Sequence, residues 1–589
     1  MVALSTSPRS STSSEPLSPE QAAASLSWSR NLADVEEDED ELRFGPNDGK
    51  EGAITAALVR IAVVAGLGGL LFGFDTGVVS GALLAIGSSL GGRPLTLTQE
   101  SFLVTSALFG ALGGSLLAGR LADRVGRKPV IVGAAVLFTM GALEQAAAQV
   151  FKEVVLGRVL VGVGVGLASC VLPTYLAELS PPKFRGRIVA SLVVLITGGQ
   201  LLAYLVDALL ISAPSGWRWM FGLGALPALL QLALSFSLPE SPRYQLRRGR
   251  VAGARKTLKL LNPRKSGAGV QRMIEELQAE VGGEVLEREG EGVGTGRSTS
   301  YRSGWRGQMD KVRTERGRMV RLLWEDRANR RALLVAMGLQ FFQQATGFNC
   351  LMYFSAKILH QTHLSAPATF AIFVAVSNFA CTLVALRLID RVGRRTLLLR
   401  GLAGMAVGMG VLAGAFGFIP DEGEVEHGAG AAAYVALLGM VGFCCAYALS
   451  LGNVPWVVQS EVFNQDLRAL GTGLATATNW IANLLVSSTF LHLSRALTPS
   501  GAFALYAFIA LLGWLFTWRY LPETKGLSLE EVRAVFETEV GVRVREGDGE
   551  DAEAGGGGGA YHVVGDEAED EDEDAVPGGG AAEGLARGG

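Results

Sequence analysis

Residues 121–129 read LADRVGRKP, and residues 388–396 read LIDRVGRRT. Two further pairs follow in the same order. AELSPPKFRGR (177–187) and then PESPR (239–243) answer to SEVFNQDLRAL (460–470) and then PETKG (522–526). Glu178 and Glu461 stand 283 positions apart, as do Pro239 and Pro522, while Asp123 and Asp390 are 267 apart. Three ordered matches in corresponding places indicate duplication of one unit, with a longer stretch after the first motif of the second copy.

Apolar runs flank every one of these motifs. A helix that crosses a bilayer needs about 20 apolar residues. Runs of that kind lie near 57–86, 100–119, 129–149, 152–176, 188–211 and 217–238, then near 331–359, 367–389, 395–419, 429–461, 467–493 and 501–521. Each copy holds six. A segment in lipid has to satisfy its own backbone hydrogen bonds, so the expected fold is an all-α membrane protein of twelve transmembrane helices in two pseudo-symmetric six-helix halves. The expected organisation is a disordered tail (1–55), a first half (56–239), a helical loop (240–330), a second half (331–522) and an acidic, Gly-rich tail (523–589). In the loop, 251–261 and 270–281 have amphipathic spacing.

Composition agrees. Hydrophobic residues make up 49% of the 589 and charged residues 18%, against about 25% charged in soluble domains. The net charge of -4 gives no sign of a nucleic-acid partner. Five cysteines (170, 350, 381, 444 and 445) fall in apolar stretches without metal or CxxC spacing, so they read as packing residues. The first fifty residues show no basic-then-apolar signal peptide. Alternate short loops hold Arg120, Arg124, Arg127 and Lys128, then Lys183, Arg185 and Arg187, then Arg387, Arg391, Arg394 and Arg395, then Arg468. That bias puts these loops, the central loop and both termini in the cytoplasm. HExxH motifs, metal-ligand clusters and nucleophile–base pairs are lacking, so an enzyme is not expected.

The loop motifs mix acids with bases, which orientation alone does not require. Asp123 with Arg127, and Asp390 with Arg394, are four apart around a Gly turn, and Glu178 and Glu461 are placed to pair with them. The expectation is a set of ion pairs that latches the cytoplasmic face shut, with plain topology signals and helix caps as the alternative. Asp75 lies inside the first span, where a carboxyl costs about 2.5–3.5 kcal/mol at the helix centre, so a functional role is expected. Polar residues inside later spans include Gln200, Gln343, Gln344, Asn349, Asn378 and Asn479. Amides both donate and accept, which suits a ring of hydroxyls without charge; they also bond neighbouring helices. Phe72 and Trp456 offer flat apolar faces for the C–H side of such a ring. GVGVG (162–166) and GLGGLLFG (66–73) sit in apolar spans, so they read as close helix contacts rather than nucleotide loops.

GFDTGVVSGALL (73–84), GRVLVGVGVGLAS (157–169), QFFQQATGFN (340–349) and the DRVGR, PESPR and PETKG motifs together resemble the sugar porter family of the major facilitator superfamily over roughly 55–535. TGGQLLAY (197–204), CLMYFSAKI (350–358), NFACTLVALRLID (378–390), LGNVPWVVQSEVF (451–463), TATNWIANLLVSSTF (476–490) and LTPSGAFALYAF (497–508) look most like its fungal proton-coupled myo-inositol transporters. Asn464 and Ala469 stand where the family has Pro and Gly, and Asp207 matches no role that the resemblance supplies.

The resemblance implies that Arg158 of the fourth span approaches Asp75 and that Asp75 takes the coupled proton. The Arg would favour the ionised acid, and burial the neutral one. It implies substrate contact for Phe72, Gln200, Gln343, Gln344, Asn349, Asn378, Trp456 and Asn479, and an outer gate at Tyr353. It adds Arg124, Arg185, Glu240, Arg391, Arg468 and Glu523 to the cytoplasmic gating set. The implied function is proton-coupled symport of myo-inositol across the plasma membrane by alternating access, with the proton gradient as energy source and no cofactor. The partners are then a polyol or sugar, protons and the lipid bilayer. A hexose or pentose symporter of the same fold and a non-transporting sensor are the alternatives.

Overall fold

The computed structural model describes residues 55–90, 92–290, 321, 324–419, 430–463, 465–525, 531–532 and 535–536. The two expected disordered tails, apart from a few residues at their inner ends, lie outside this set, as do most of 291–323 and the Asp390 side chain. Every regular element described is a helix.

The first half holds α1 (Ala56–Ile86), α2 (Leu97–Val125), α3 (Arg127–Ala147), α4 (Phe151–Leu179), α5 (Pro182–Leu210) and a divided sixth pass, α6 (Gly216–Leu223) and α7 (Ala225–Ser235). The central loop forms α8 (Pro242–Arg247), α9 (Val251–Leu261) and α10 (Gly267–Gly290). The second half holds α11 (Arg327–Ala345), α12 (Phe348–His360), α13 (Pro367–Val392), α14 (Arg394–Phe416), α15 (Ala431–Leu449), α16 (Val454–Glu461), α17 (Gln465–Ala496) and α18 (Thr498–Tyr520). Among the described residues, nine helices are long and apolar enough to cross a membrane, α15 and α16 counting as one. The other three expected spans are helical but fall short of that measure. The sixth is interrupted at Gly224 and the seventh at Thr346–Gly347, while the eleventh, α17, is interspersed with Thr, Asn and Ser. Gly347 has a φ of +84°, a conformation that ends α11 and restarts the chain as α12.

Large apolar side chains such as Leu117, Leu209, Val407 and Leu438 point outward and are more than half exposed. In water such a surface would drive aggregation; in lipid it is the solvated face. Inside, glycine brings helices together backbone to backbone. A Cβ at Gly162 or Gly166 of α4 would run into the carbonyls of Ala107 and Ala111 on α2, and one at Gly73 of α1 into that of Ile196 on α5. The expected packing role of both Gly runs is what the structure has. The central loop makes a small core of its own from Leu246, Ala254, Leu258, Val270 and Ile274.

The repeated DRVGR motif is a helix-to-helix turn in both halves. Gly126 and Gly393 take φ of +105° and +97°. The carboxylate of Glu240 lies on the first turn and accepts the N–H of Arg127 at 2.9 Å and of Lys128 at 3.2 Å. Glu523 lies on the second and accepts the N–H of Arg394 at 2.8 Å, Arg395 at 3.1 Å and Thr396 at 3.3 Å. Each acid therefore caps the orphan N–H groups that open α3 or α14. Arg127 reaches Glu178 at 3.1 Å and Asp123 at 3.4 Å, and Arg394 reaches Glu461 at 3.0 Å. Each of these ion pairs ties together parts of a single half. Arg127 with Glu178 and Arg394 with Glu461 are the partners expected of the loop motifs. Arg124, Arg185 and Arg391 are exposed, and Arg468 donates to the Phe463 carbonyl at 3.4 Å.

The halves meet through α5 with α13, α2 with α17 and α1 with α12. At the end far from the central loop, polar contacts cross between them. Ser80 Oγ lies 2.9 Å from Ser355 Oγ and accepts the Ala356 N–H at 3.0 Å. Tyr204 donates to the Met352 carbonyl at 2.7 Å, and Lys357 pairs with Glu100. The far face is closed.

Two outcomes check this packing. Gly162→Leu is expected to lower stability by about 1–3 kcal/mol, read as a fall in melting temperature in detergent. Gly113→Ala, with nothing within 4 Å of the new Cβ, should leave it unchanged. Glu240→Ala removes a helix cap and should cost about 1 kcal/mol, and Glu523→Ala about the same by the repeat.

Candidate functional site

Asp75 projects from the middle of α1 and Arg158 from the first turns of α4, and the two form an ion pair. Arg158 is 1% exposed. Its Nε donates to the Leu103 carbonyl of α2 at 3.3 Å, and its guanidinium lies 6.0 Å from the centre of the Phe221 ring on α6. Three helices and an aromatic face thus fix one cation in a membrane interior, where an unpaired charge is strongly disfavoured.

Beside the pair is a cavity of about 10 Å³ whose lining includes Phe72, Asp75, Arg158, Tyr353 and Trp480. It has room for about one water molecule. Phe72 and Trp480 belong to opposite halves, and their rings stand 6.0 Å apart. Tyr353 is 4% exposed, and its hydroxyl receives the Asn483 amide at 3.5 Å. It lines the cavity with the ion pair, and it sits on α12 between Met352 and Ser355, which make far-face contacts. Trp456, expected to offer a flat face here, is 39% exposed on α16 and is absent from this lining. Trp480 of α17 holds the position against Phe72 instead.

A second cluster lies in the second half. Asn479 of α17 donates to Gln343 Oε1 at 2.6 Å and to Gln340 Oε1 at 2.7 Å, and accepts from Gln344 at 3.2 Å. Neighbours on a helix diverge by about 100°, yet Gln343 and Gln344 converge because their long side chains reach Asn479 from either side. Asn349 donates to Gln344 Oε1 at 2.7 Å across the Gly347 break. Gln343 donates to the Leu451 carbonyl at 2.6 Å, which the interruption between α15 and α16 leaves unused by a helix. Between the halves, Asn378 of α13 donates to Gln200 of α5 at 2.8 Å.

All six amides expected from the sequence are therefore in hydrogen-bonded groups, four in one and two in the other. Reading the sequence did not single out Gln340, 0% exposed at the centre of the larger group, Gln459, which accepts from Gln340 at 2.9 Å, or Asn483 and Trp480. Gln340 stands four before Gln344, one turn away on the same helix face, and that spacing was the available signal. The site as a whole presents neutral donors and acceptors, aromatic faces and one buried ion pair.

Comparison with known proteins agrees with this geometry. Residues 61–536 match the family described as sugar (and other) transporter. Myo-inositol transporter 1 of Cryptococcus neoformans var. grubii is 38% identical over 502 residues, covering 84% of this chain and 83% of that one. Myo-inositol transporter 2 of Schizosaccharomyces pombe is 38% identical over 477 residues, covering 81% of each. Among solved structures, the major facilitator superfamily proton:xylose symporter XylE bound to 6-bromo-6-deoxy-D-glucose superposes with a TM-score of 0.62 at 29% identity, covering 82% of this chain and all of that one. The repeat, the all-helical halves and the buried polar site thus share one explanation: the chain is a multi-pass membrane protein of the sugar transporter family, with the major facilitator fold.

Proposed function

We propose that this transporter is a proton-coupled symporter of myo-inositol in the plasma membrane. The loop face and both termini are then cytoplasmic, and the far face is the outer gate. The observation that carries this reading is the small cavity touching both the Asp75–Arg158 pair and the Phe72–Trp480 rings. A carboxyl and two aromatic rings lining one cavity at the seam between the halves support the coupling of a proton to a ring-shaped solute. The neutral amides buried in the second half support an uncharged polyhydroxy solute, and the relatives named as myo-inositol transporters support the choice of polyol.

The chemistry needs no cofactor. With the far face open, Asp75 takes a proton from water, and its ion pair with Arg158 loosens. Solute hydroxyls replace the bonds that Asn479, Gln343, Gln344 and Asn349 make to one another, and an aromatic ring covers the C–H face of the solute. The halves then rock until the far-face contacts form. On the loop face, the DRVGR turns, with Glu178 and Glu240 in one half and Glu461 and Glu523 in the other, keep each half rigid as it moves. Release of solute lets the amides close on themselves, and release of the proton restores the ion pair.

Two outcomes follow. Asp75→Asn should abolish accumulation of labelled myo-inositol against its gradient while leaving exchange across the membrane; undiminished concentrative uptake would remove Asp75 from the coupling. Asn479→Ala should raise the half-saturating concentration about tenfold, which is about 1.4 kcal/mol. Competition by scyllo-inositol and by glucose in the same uptake assay separates the polyol from the hexose. Preferential loss to glucose would assign the site to hexoses.

A further inference from the structure

Asp207, late in α5, takes no part in the site described above. It is 2% exposed. Its Oδ2 accepts the N–H of Gly81 on α1 at 2.8 Å, and its Oδ1 is buried without a hydrogen-bond partner. The place is cut to fit a carboxyl, since a Cβ at Gly81 would run into the Asp207 side chain.

The charged groups on the surrounding elements are engaged elsewhere. Asp75 of α1 pairs with Arg158 of α4, and Lys357 of α12 with Glu100 of α2. Arg218 of α6 donates to the carbonyls of Ala146, at 3.1 Å, and Ala148. Tyr204, three residues before Asp207, sends its hydroxyl to Met352. His360 at the end of α12 is exposed, and Cys381 of α13 and Cys444 of α15 bring only thiols. A carboxylate with one N–H bond, an orphaned oxygen and, among the described residues, no cation against it is a charge the membrane interior opposes by several kcal/mol. A neutral carboxyl avoids that cost.

Its neighbours make the position consequential. Gly81 follows Ser80, which bonds Ser355 and the Ala356 N–H, and Tyr204 closes on the same segment of α12. Separation of α12 from α1 and α5 would strip these contacts and admit water next to Asp207. We propose that Asp207 is a second proton-binding residue of the cycle, which holds a proton while the far face is closed and gives it up when that face opens. On opening, the carboxyl O–H bond breaks, the proton passes to water and the carboxylate remains hydrated; on closing, the carboxylate takes a proton back. The closed form binds the proton more tightly, so acid favours closure and alkali favours opening. The inference rests on the far face being a gate between rocking halves, but not on the identity of the solute or on Asp75.

Spin labels at Arg93→Cys and Ser365→Cys, both exposed at the far face on opposite halves, report the gate in the full chain in nanodiscs. In the absence of solute, the long-distance population should grow as pH rises, and a rise with pH should persist in Asp75→Asn and in Glu100→Gln whatever constant offset each variant adds. Asp207→Asn, a lasting copy of the neutral acid, should stay at the short distance throughout. A wild-type distribution that ignores pH overturns the proposal without any variant at Asp207, and so does Asp207→Asn with a wild-type midpoint. A single distance under every condition, solute included, would instead count against rocking halves and take this inference with it.

Discussion

A charge pair held away from water is the constraint around which the rest is arranged. Arg158 comes from one helix, Asp75 from another, and the carbonyl that accepts the Arg158 Nε–H from a third. Removing one member of such a pair leaves the other uncompensated, at a cost of about 3–5 kcal/mol. The pair therefore has to be kept or neutralised as a unit. A proton can do the neutralising reversibly, and a cavity beside the pair gives the proton and the solute a common boundary. Gly162 and its neighbours serve the same end, because α4 presents Arg158 to α1 only by lying backbone to backbone on α2.

Duplication supplies the frame, and divergence supplies the function. The two DRVGR turns match down to a glycine of positive φ and a carboxylate seated on the following helix start. The interiors do not match. The first half contributes the ion pair, and the second contributes six linked amides, Gln340, Gln343, Gln344 and Asn349 on the interrupted seventh span, Gln459 on α16 and Asn479 on α17. Interruptions matter because a continuous helix uses up its own carbonyls, whereas a broken one leaves some for side chains. Gln343 takes one of these, the Leu451 carbonyl.

Much of this was legible in the residues. Ordered motifs, two of the three pairs at equal separation, revealed the halves, apolar runs revealed the helices, a carboxyl in the first span pointed to a functional role, and the family resemblance implied its ion pair. Other features depend on where helices bend and cross, which spacing does not record. Glu240 and Glu523 read as gating charges, and in this conformation they cap helix starts because their loops fold back onto turns more than a hundred residues away. Trp456 and Trp480 are equally apolar in sequence, and only the crossing of α17 over α1 sets Trp480 against Phe72. Arg127 and Arg394 each find acids within their own half, since the turn that positions each guanidinium belongs to the same loop system as its partners.

Proton movement that accompanies solute is the most direct test of the coupled site. The purified chain in liposomes, with a pH-sensitive dye outside and no imposed gradient, is given myo-inositol. The expected result is external alkalinisation that tracks labelled myo-inositol uptake and disappears in Asp75→Asn. Uptake of myo-inositol with no change in external pH would contradict it.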